Sequence, residues 1–297
     1  MDKAKLLSAL KSSGGAAQSD VEVDGLLVKL ISLEKTGRYS KLMNSIASAN
    51  NKSNFLASVF ECTFAFQFES SGLLLVYEVK QDAPAGSSID FLRQAACGIS
   101  IYFEARLIQQ DDATSKSITQ QLEKSHCYQI GMVTMNSKHD ELDAIVRLQN
   151  VILSKVQKND GTPTKFLRVA DNIANIVVVD VSDLILGAID VYDCLLATHG
   201  DPAVDEIYRR GIFGLFQDAA PSYPTQIQTI ATSYEHVRNT LSGVLFLFKK
   251  RNCGVLDYKL EHYMMWNHRR IDSIHAASIC AEITKAIPMK SCDSEQT

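Results

Sequence analysis

The sequence predicts a mixed α/β protein built on a central mixed β-sheet flanked by helices. Three observations carry that expectation. Asn175 to Val181 (NIVVVDV) is a β-branched, apolar run of the kind that is buried on both faces of a sheet. Stretches with a two-residue period alternate along the chain with stretches of helical spacing. Hydrophobic residues make up 46% of the 297 residues, so a buried core is expected.

Ser12 to Asp20 (SSGGAAQSD) is small and polar, which marks a loop after a short first helix. From Val21 to about Tyr39, the spacing of Leu26, Leu27, Leu30, Ile31 and Leu33 suits an amphipathic helix. Ser53-Asn54 is placed to cap another short helix through Phe60. Phe64, Phe66 and Phe68 then alternate with Ala65 and Gln67, the period of a strand. With Ser70-Ser71-Gly72 as a turn and Leu73 to Lys80 as a second strand, a β-hairpin is predicted. Asp90 to about Arg106 reads as a long, largely apolar helix. A helix over 118–124, a strand over 128–135 and a helix over 140–156 follow. Beyond the strand at 175–181, helices are expected over 183–196 and 201–216. Ser242 to Phe248 and Leu256 to Met265 form a second hairpin, and a last helix runs from Ile274 to Ile287 before Pro288. The domain reading is a flexible segment over 1–20, one α/β domain over 21–288 divisible into sub-lobes 21–157 and 164–288, and a flexible tail over 289–297.

Composition narrows the function. A net charge of −4 argues against a protein held to nucleic acid by bulk charge. Local basic clusters remain as candidate nucleic-acid contacts: Lys249, Lys250 and Arg251, and Arg269 with Arg270. The seven cysteines are scattered, with no CxxC and no Cys/His zinc spacing. Reduced core cysteines in a cytoplasmic protein are the expectation, with Cys97 in Ala95-Ala96-Cys97-Gly98-Ile99 as an example. No signal peptide and no membrane-spanning run of about 20 apolar residues is apparent. HExxH, the Walker loop, GxGxxG and GxSxG are all missing. Asp183 reads as a helix N-cap.

Glu78-Val79-Lys80 is the site-like signal. Glu78 and Lys80 share one face of a strand whose other face is apolar, and charges so placed at a half-buried strand end call for a partner. A hard cation is one: carboxylate oxygens hold Mg²⁺, while the lysine orients a water beside a phosphate. A strand-end salt bridge of little energetic weight is the plain alternative.

A hairpin, an E-x-K at its far end, a loop and a long helix together resemble the PD-(D/E)xK nuclease superfamily, over roughly Phe55 to Arg106. The resemblance implies a restriction-endonuclease-like core, Mg²⁺ and a phosphodiester substrate. Glu78 would be a metal ligand and Lys80 the water-orienting group. The family pattern also places an acidic residue, usually Asp, on the preceding strand, where this chain offers only Glu61 and Glu69. In the hairpin register set by a Ser70-Ser71 loop, Glu61 falls beside Lys80 and diagonal to Glu78, so Glu61 is taken as the second ligand. Gln94 matches in type a glutamine that some members carry after the E-x-K. The competing reading is a relative that kept the fold and lost the metal, and now acts as a binding or assembly module. The apolar helix from Phe91 and the second hairpin would suit a homodimer.

Overall fold

The computed structural model describes residues 1–15, 17, 19–80, 88–109, 140–158, 162–166, 169–183, 189–204, 211–214, 222, 225–250 and 254–290. Among them, eight helices flank a six-stranded mixed sheet in which the strands lie side by side in chain order. The helices are α1 (Lys3–Ser12), α2 (Asp20–Glu34), α3 (Ser40–Ala47), α4 (Lys52–Ser70), α5 (Asp140–Val156), α6 (Val191–His199), α7 (Thr225–Thr240) and α8 (Ser273–Ala286). The strands are β1 (Val76–Lys80), β2 (Ser88–Gln94), β3 (Ser100–Gln109), β4 (Ile173–Asp183), β5 (Gly243–Lys249) and β6 (Leu260–Trp266). β1, β2 and β3 pair antiparallel, β3, β4 and β5 pair parallel, and β5 pairs antiparallel with β6.

The mixed α/β class is as expected, and so are β4, α5, the β5–β6 hairpin and α8. β4 carries one core on each side. Ala174, Ile176 and Val178 face α1 to α4 and α8, whereas Val177, Val179 and Val181 face α5, α6 and α7. A strand sandwiched in this way has no polar face to show, which is why its sequence reads as a continuous apolar run.

Two stretches in the first half of the chain depart from expectation, whereas α1, α2 and β1 lie where they were expected. Phe64, Phe66 and Phe68 are not on a strand. They lie in α4, which starts behind the Asn51 side chain that caps Asn54 N–H and runs on to Ser70. Phe60, Phe64 and Phe68, spaced by four, form the buried stripe, and Phe66 is left half-exposed. Four-residue spacing on one helix face outweighed the two-residue alternation. Asp90 to Arg106 is not a helix but the β2–β3 hairpin, turned at Ala95 to Ile99 with Gly98 at φ +86. Ile99, Ile101, Phe103, Ala105 and Leu107 point into the α1–α4 core at strand period. Phe91 and these residues, one of the two apolar surfaces expected to suit a homodimer, are therefore interior. Cys97 sits exposed in that turn rather than in the core, while Cys62 and Cys194 are buried.

Smaller corrections concern the ends of elements. Within the segment 1–20, α1 packs onto the core through Leu6, Ala9 and Leu10. Asp183 is the last residue of β4, the helix expected directly after it falls on 184–188 outside the described residues, and Asp190 caps α6 in a reciprocal capping box with Asp193. In the region expected as a helix over 201–216, the described residues 201–204 and 211–214 are not helical. The expected elements at 118–124 and 128–135 lie outside the described residues. No helix among the described residues is long and apolar enough to cross a membrane.

Candidate functional site

β2 and β3 part company at one point, and the charged residues gather there. Their pairing runs from Gln94 opposite Ser100 to Phe91 opposite Phe103. At the next position, the Asp90 side chain takes over the bonding role: its Oδ2 accepts from Ala105 N–H at 2.7 Å. A carboxylate that accepts a backbone N–H is held in one orientation. β3 continues, now paired only with β4, and its alternation sends Tyr102, Glu104, Arg106 and Ile108 toward the α5 side.

Glu104 is fully buried there. Two ammonium groups meet its Oε1: Lys155 from the last turn of α5 at 2.6 Å, and Lys165 from the following loop at 2.5 Å. Its Oε2 is buried with no hydrogen-bond partner. A buried carboxylate with one unsatisfied oxygen is costly to keep and wants a ligand. From the other side of the sheet, α4 presents Glu61, whose Oε2 accepts from the Tyr77 hydroxyl at 2.8 Å. Glu61, Asp90 and Glu104 line one cavity of about 460 Å³ together with Arg106, Arg147, Lys155, Lys165 and the first turn of α4 at Ser53 and Asn54.

The crowding of carboxylates has a titration signature. Burial, and then the charge of Asp90, pushes the Glu61 carboxyl well above the usual glutamate range, against the pull of Tyr77 and Lys155. Burial, and then the charge of Glu104, raises Asp90, which Lys155, Lys165 and Ala105 N–H partly offset. Groups whose environments force them toward the neutral form at working pH are characteristic of sites that bind or transfer charge. The oxygen donors are of the kind Mg²⁺ takes. As placed, no three His, Cys, Asp or Glu side chains among the described residues stand close enough to hold a metal ion, so Lys155 and Lys165 supply the positive charge at Glu104.

Of the residues singled out from sequence, Glu61 lines this cavity, although it arrives on a helix and not on a hairpin strand. Glu78 and Lys80 do not line it. Glu78 sits on the edge strand β1 at φ +51 and pairs with Lys41 of α3 at 2.5 Å. Lys80 ends β1, exposed and opposite Ser88. Gln94 is on β2, not on a helix, and accepts from the Ser100 hydroxyl at 3.0 Å. Lys249 and Lys250 stand at one end of the β5–β6 hairpin, with the Lys249 ammonium 4.5 Å from the Tyr258 ring centroid. Arg269 and Arg270 follow the opposite end, past Trp266, so the length of the hairpin separates them from Lys249 and Lys250. Arg251 lies outside the described residues.

Asp90 and Glu104 were missed because Asp90 to Arg106 read as a helix. The usable signal was there: five apolar residues alternating from Ile99 to Leu107, with Gly98 as a turn ahead of them. No family model matches the chain, and no curated protein or solved structure matches it either.

Proposed function

We propose that this chain is a PD-(D/E)xK-type, Mg²⁺-dependent phosphodiester hydrolase acting on nucleic acid, with its acidic centre at Asp90, Glu104 and Glu61. One observation carries the reading. Asp90 on β2 and Glu104-Ala105-Arg106 on β3 form the Asp-then-Glu-x-basic arrangement on neighbouring strands, one hairpin later than the sequence suggested, in a cavity lined by cations. The triplet departs from the family motif in ending on arginine. Lys155 and Lys165 bring ammonium groups to the same carboxylate and make up for that change in type.

By donor type the three carboxylates suit a magnesium ion, and to share one they would have to draw closer together than they stand here. Glu61, Asp90 and the unpartnered Oε2 of Glu104 are hard oxygen donors, and a bound Mg²⁺ would supply Lewis-acid stabilisation of charge on a phosphate. Asp90 is oriented by Ala105 N–H and Glu61 by the Tyr77 hydroxyl, which limits how each carboxylate can turn. The cations of the wall attract the phosphate backbone, which the acidic protein as a whole does not.

The test is cleavage of single- and double-stranded DNA and RNA with Mg²⁺ or Mn²⁺, wild type against Asp90→Asn. Metal-dependent cleavage that the substitution abolishes is the expected result. A wild type that cuts none of the four substrates, or an Asp90→Asn variant that cuts as well, overturns the proposal.

A second reading has its own observation. With two ammonium groups already on Glu104, the carboxylate is neutralised internally, as in a relative that kept the fold and serves as a binding or assembly module. Calorimetric titration with Mg²⁺ and Mn²⁺ separates the two, because the module binds neither.

A further inference from the structure

Lys155 and Lys165 donate to the same oxygen of Glu104, at 2.6 and 2.5 Å, while the other oxygen is buried without a partner. That division is uneconomical for a pair whose only task is neutralisation. One ammonium balances one carboxylate, and two ammonium groups on one oxygen repel each other at short range. One lysine on each oxygen would satisfy both oxygens and separate the cations. The wall around them adds exposed Arg106 and half-buried Arg147, with the α4 first turn at Ser53 and Asn54 opposite. The cavity wall thus sets four cations, Arg106, Arg147, Lys155 and Lys165, against three carboxylates, Glu61, Asp90 and Glu104.

Lys165 is also presented by backbone that the fold fixes. Its loop folds back on the end of α5 through Lys158 N–H to Thr162 O at 2.8 Å and Thr164 N–H to Val156 O at 2.9 Å. The next residue, Phe166, is fully buried in the core beneath α5 and held at φ +58, a left-handed conformation that a bulky side chain adopts only under constraint.

We infer that Lys155 and Lys165 are a phosphate-binding pair, parked on Glu104 until a phosphate oxygen takes them over. The identity of that phosphate as part of a nucleic-acid strand rests on the function proposed above, whereas the anion site does not require hydrolysis. Arg106 and Arg147 would extend it along the same wall.

The experiment titrates inorganic phosphate into the full chain by calorimetry, without a divalent metal. Lys155→Met and Lys165→Met should each weaken binding about tenfold, the scale of one charge-assisted hydrogen bond. Glu104→Gln should tighten it by about the same factor, because the carboxylate no longer competes for the lysines. Lys41→Met, whose ion pair with Glu78 lies off the cavity, should change nothing. A purely structural lysine pair gives a different order. Phosphate affinity that is unchanged or weakened in Glu104→Gln, or lysine variants that bind like wild type, overturn the inference. If a single lysine variant does not fold, Glu104→Gln/Lys165→Met avoids an uncompensated buried charge, and it should lose the affinity that Glu104→Gln gained. The expected order in a protein that cleaves nothing would sink the hydrolase reading alone. Metal-dependent cleavage by a protein whose phosphate binding ignores the lysines would sink this inference alone.

Discussion

The chain carries two Glu-x-basic triplets on strands of the same sheet, and they fare very differently. Glu78-Val79-Lys80 lies on the outermost strand, and Glu104-Ala105-Arg106 lies two strands further in. The flanking pairs of each register place both glutamates opposite Asp90, one on either side of it. On the edge, the Glu78 side chain keeps 30% of its exposure and answers to one lysine on α3, itself 62% exposed, so the pair contributes little. Inside, Glu104 keeps none, and the fold must bring two lysines from α5 and its following loop to balance it. The same triplet chemistry is a surface ion pair in one setting and a charge-dense cavity in the other. Depth in the sheet and the helix above it decide which, and neither can be read from three residues.

The sharpest way to break this contrast is to move the substitutions from one triplet to the other. In a metal-dependent cleavage assay, Glu104→Ala should cost on the order of 10²- to 10³-fold in rate, the scale of losing one group that stabilises a transition state. Glu78→Ala and Lys80→Ala should stay within about twofold, because neither side chain lines the cavity and surface substitutions of this kind shift energies by about 0.5 kcal/mol. A large loss in Glu78→Ala with a mild one in Glu104→Ala would return the site to the edge strand.

The inner carboxylates should also show themselves in stability without any substrate. Glu61 is pushed up to about 8 and Asp90 to about 6, in each case mainly by burial. Unfolded, both titrate near 4. Between pH 4 and 8 the folded protein therefore binds more protons at these groups than the unfolded chain. Their contribution is fully present below the unfolded value and is lost as pH rises through the folded one, at most about 1.4 kcal/mol per pH unit for each group. Urea denaturation of the metal-free protein at intervals from pH 5 to 8 should show stability falling faster in wild type than in Glu61→Gln. Parallel pH profiles for the two would mean that Glu61 is not forced toward its neutral form.

How much of this was legible in the sequence depends on how many levels of structure agree. β4, α5, the β5–β6 hairpin and α8 could be read because local pattern and tertiary environment point the same way. α4 could not, since Phe60, Phe64, Phe66 and Phe68 satisfy a helical and a strand period at once. Only packing against Phe91 and Phe103 across the core decides for the helix. The β2–β3 hairpin is the instructive case. Read as a helix, Asp90 and Glu104 are fourteen positions apart with no common purpose. Read as a hairpin turned at Gly98, they become opposite neighbours. Lys155 and Lys165 were beyond reach, because they join the site only through a crossover from β3 to β4. Glu61 was selected from sequence by a hairpin register that does not exist, and it reaches the cavity from α4 instead.

The smallest expected effect sharpens the comparison from the edge side. Glu78 adopts φ +51 in the middle of β1, in the left-handed region that a residue with a Cβ enters at a cost of roughly 1 kcal/mol or more. Its ion pair with Lys41 is worth less than about 1 kcal/mol. Two substitutions separate these contributions. Glu78→Ala removes the pair and keeps the strain, so it should be neutral to slightly destabilising. Glu78→Gly removes the pair and also the strain, so it should be more stable than Glu78→Ala by about 0.5 to 1 kcal/mol, part of which is lost to the greater freedom of glycine in the unfolded chain. Equal urea midpoints for the two variants would mean that the backbone relaxes when the carboxylate leaves, and that the Lys41 pair itself holds Glu78 at positive φ. A higher midpoint for Glu78→Gly would mean that the fold imposes the kink, which blunts β1, the edge strand among the described residues, against pairing with another strand.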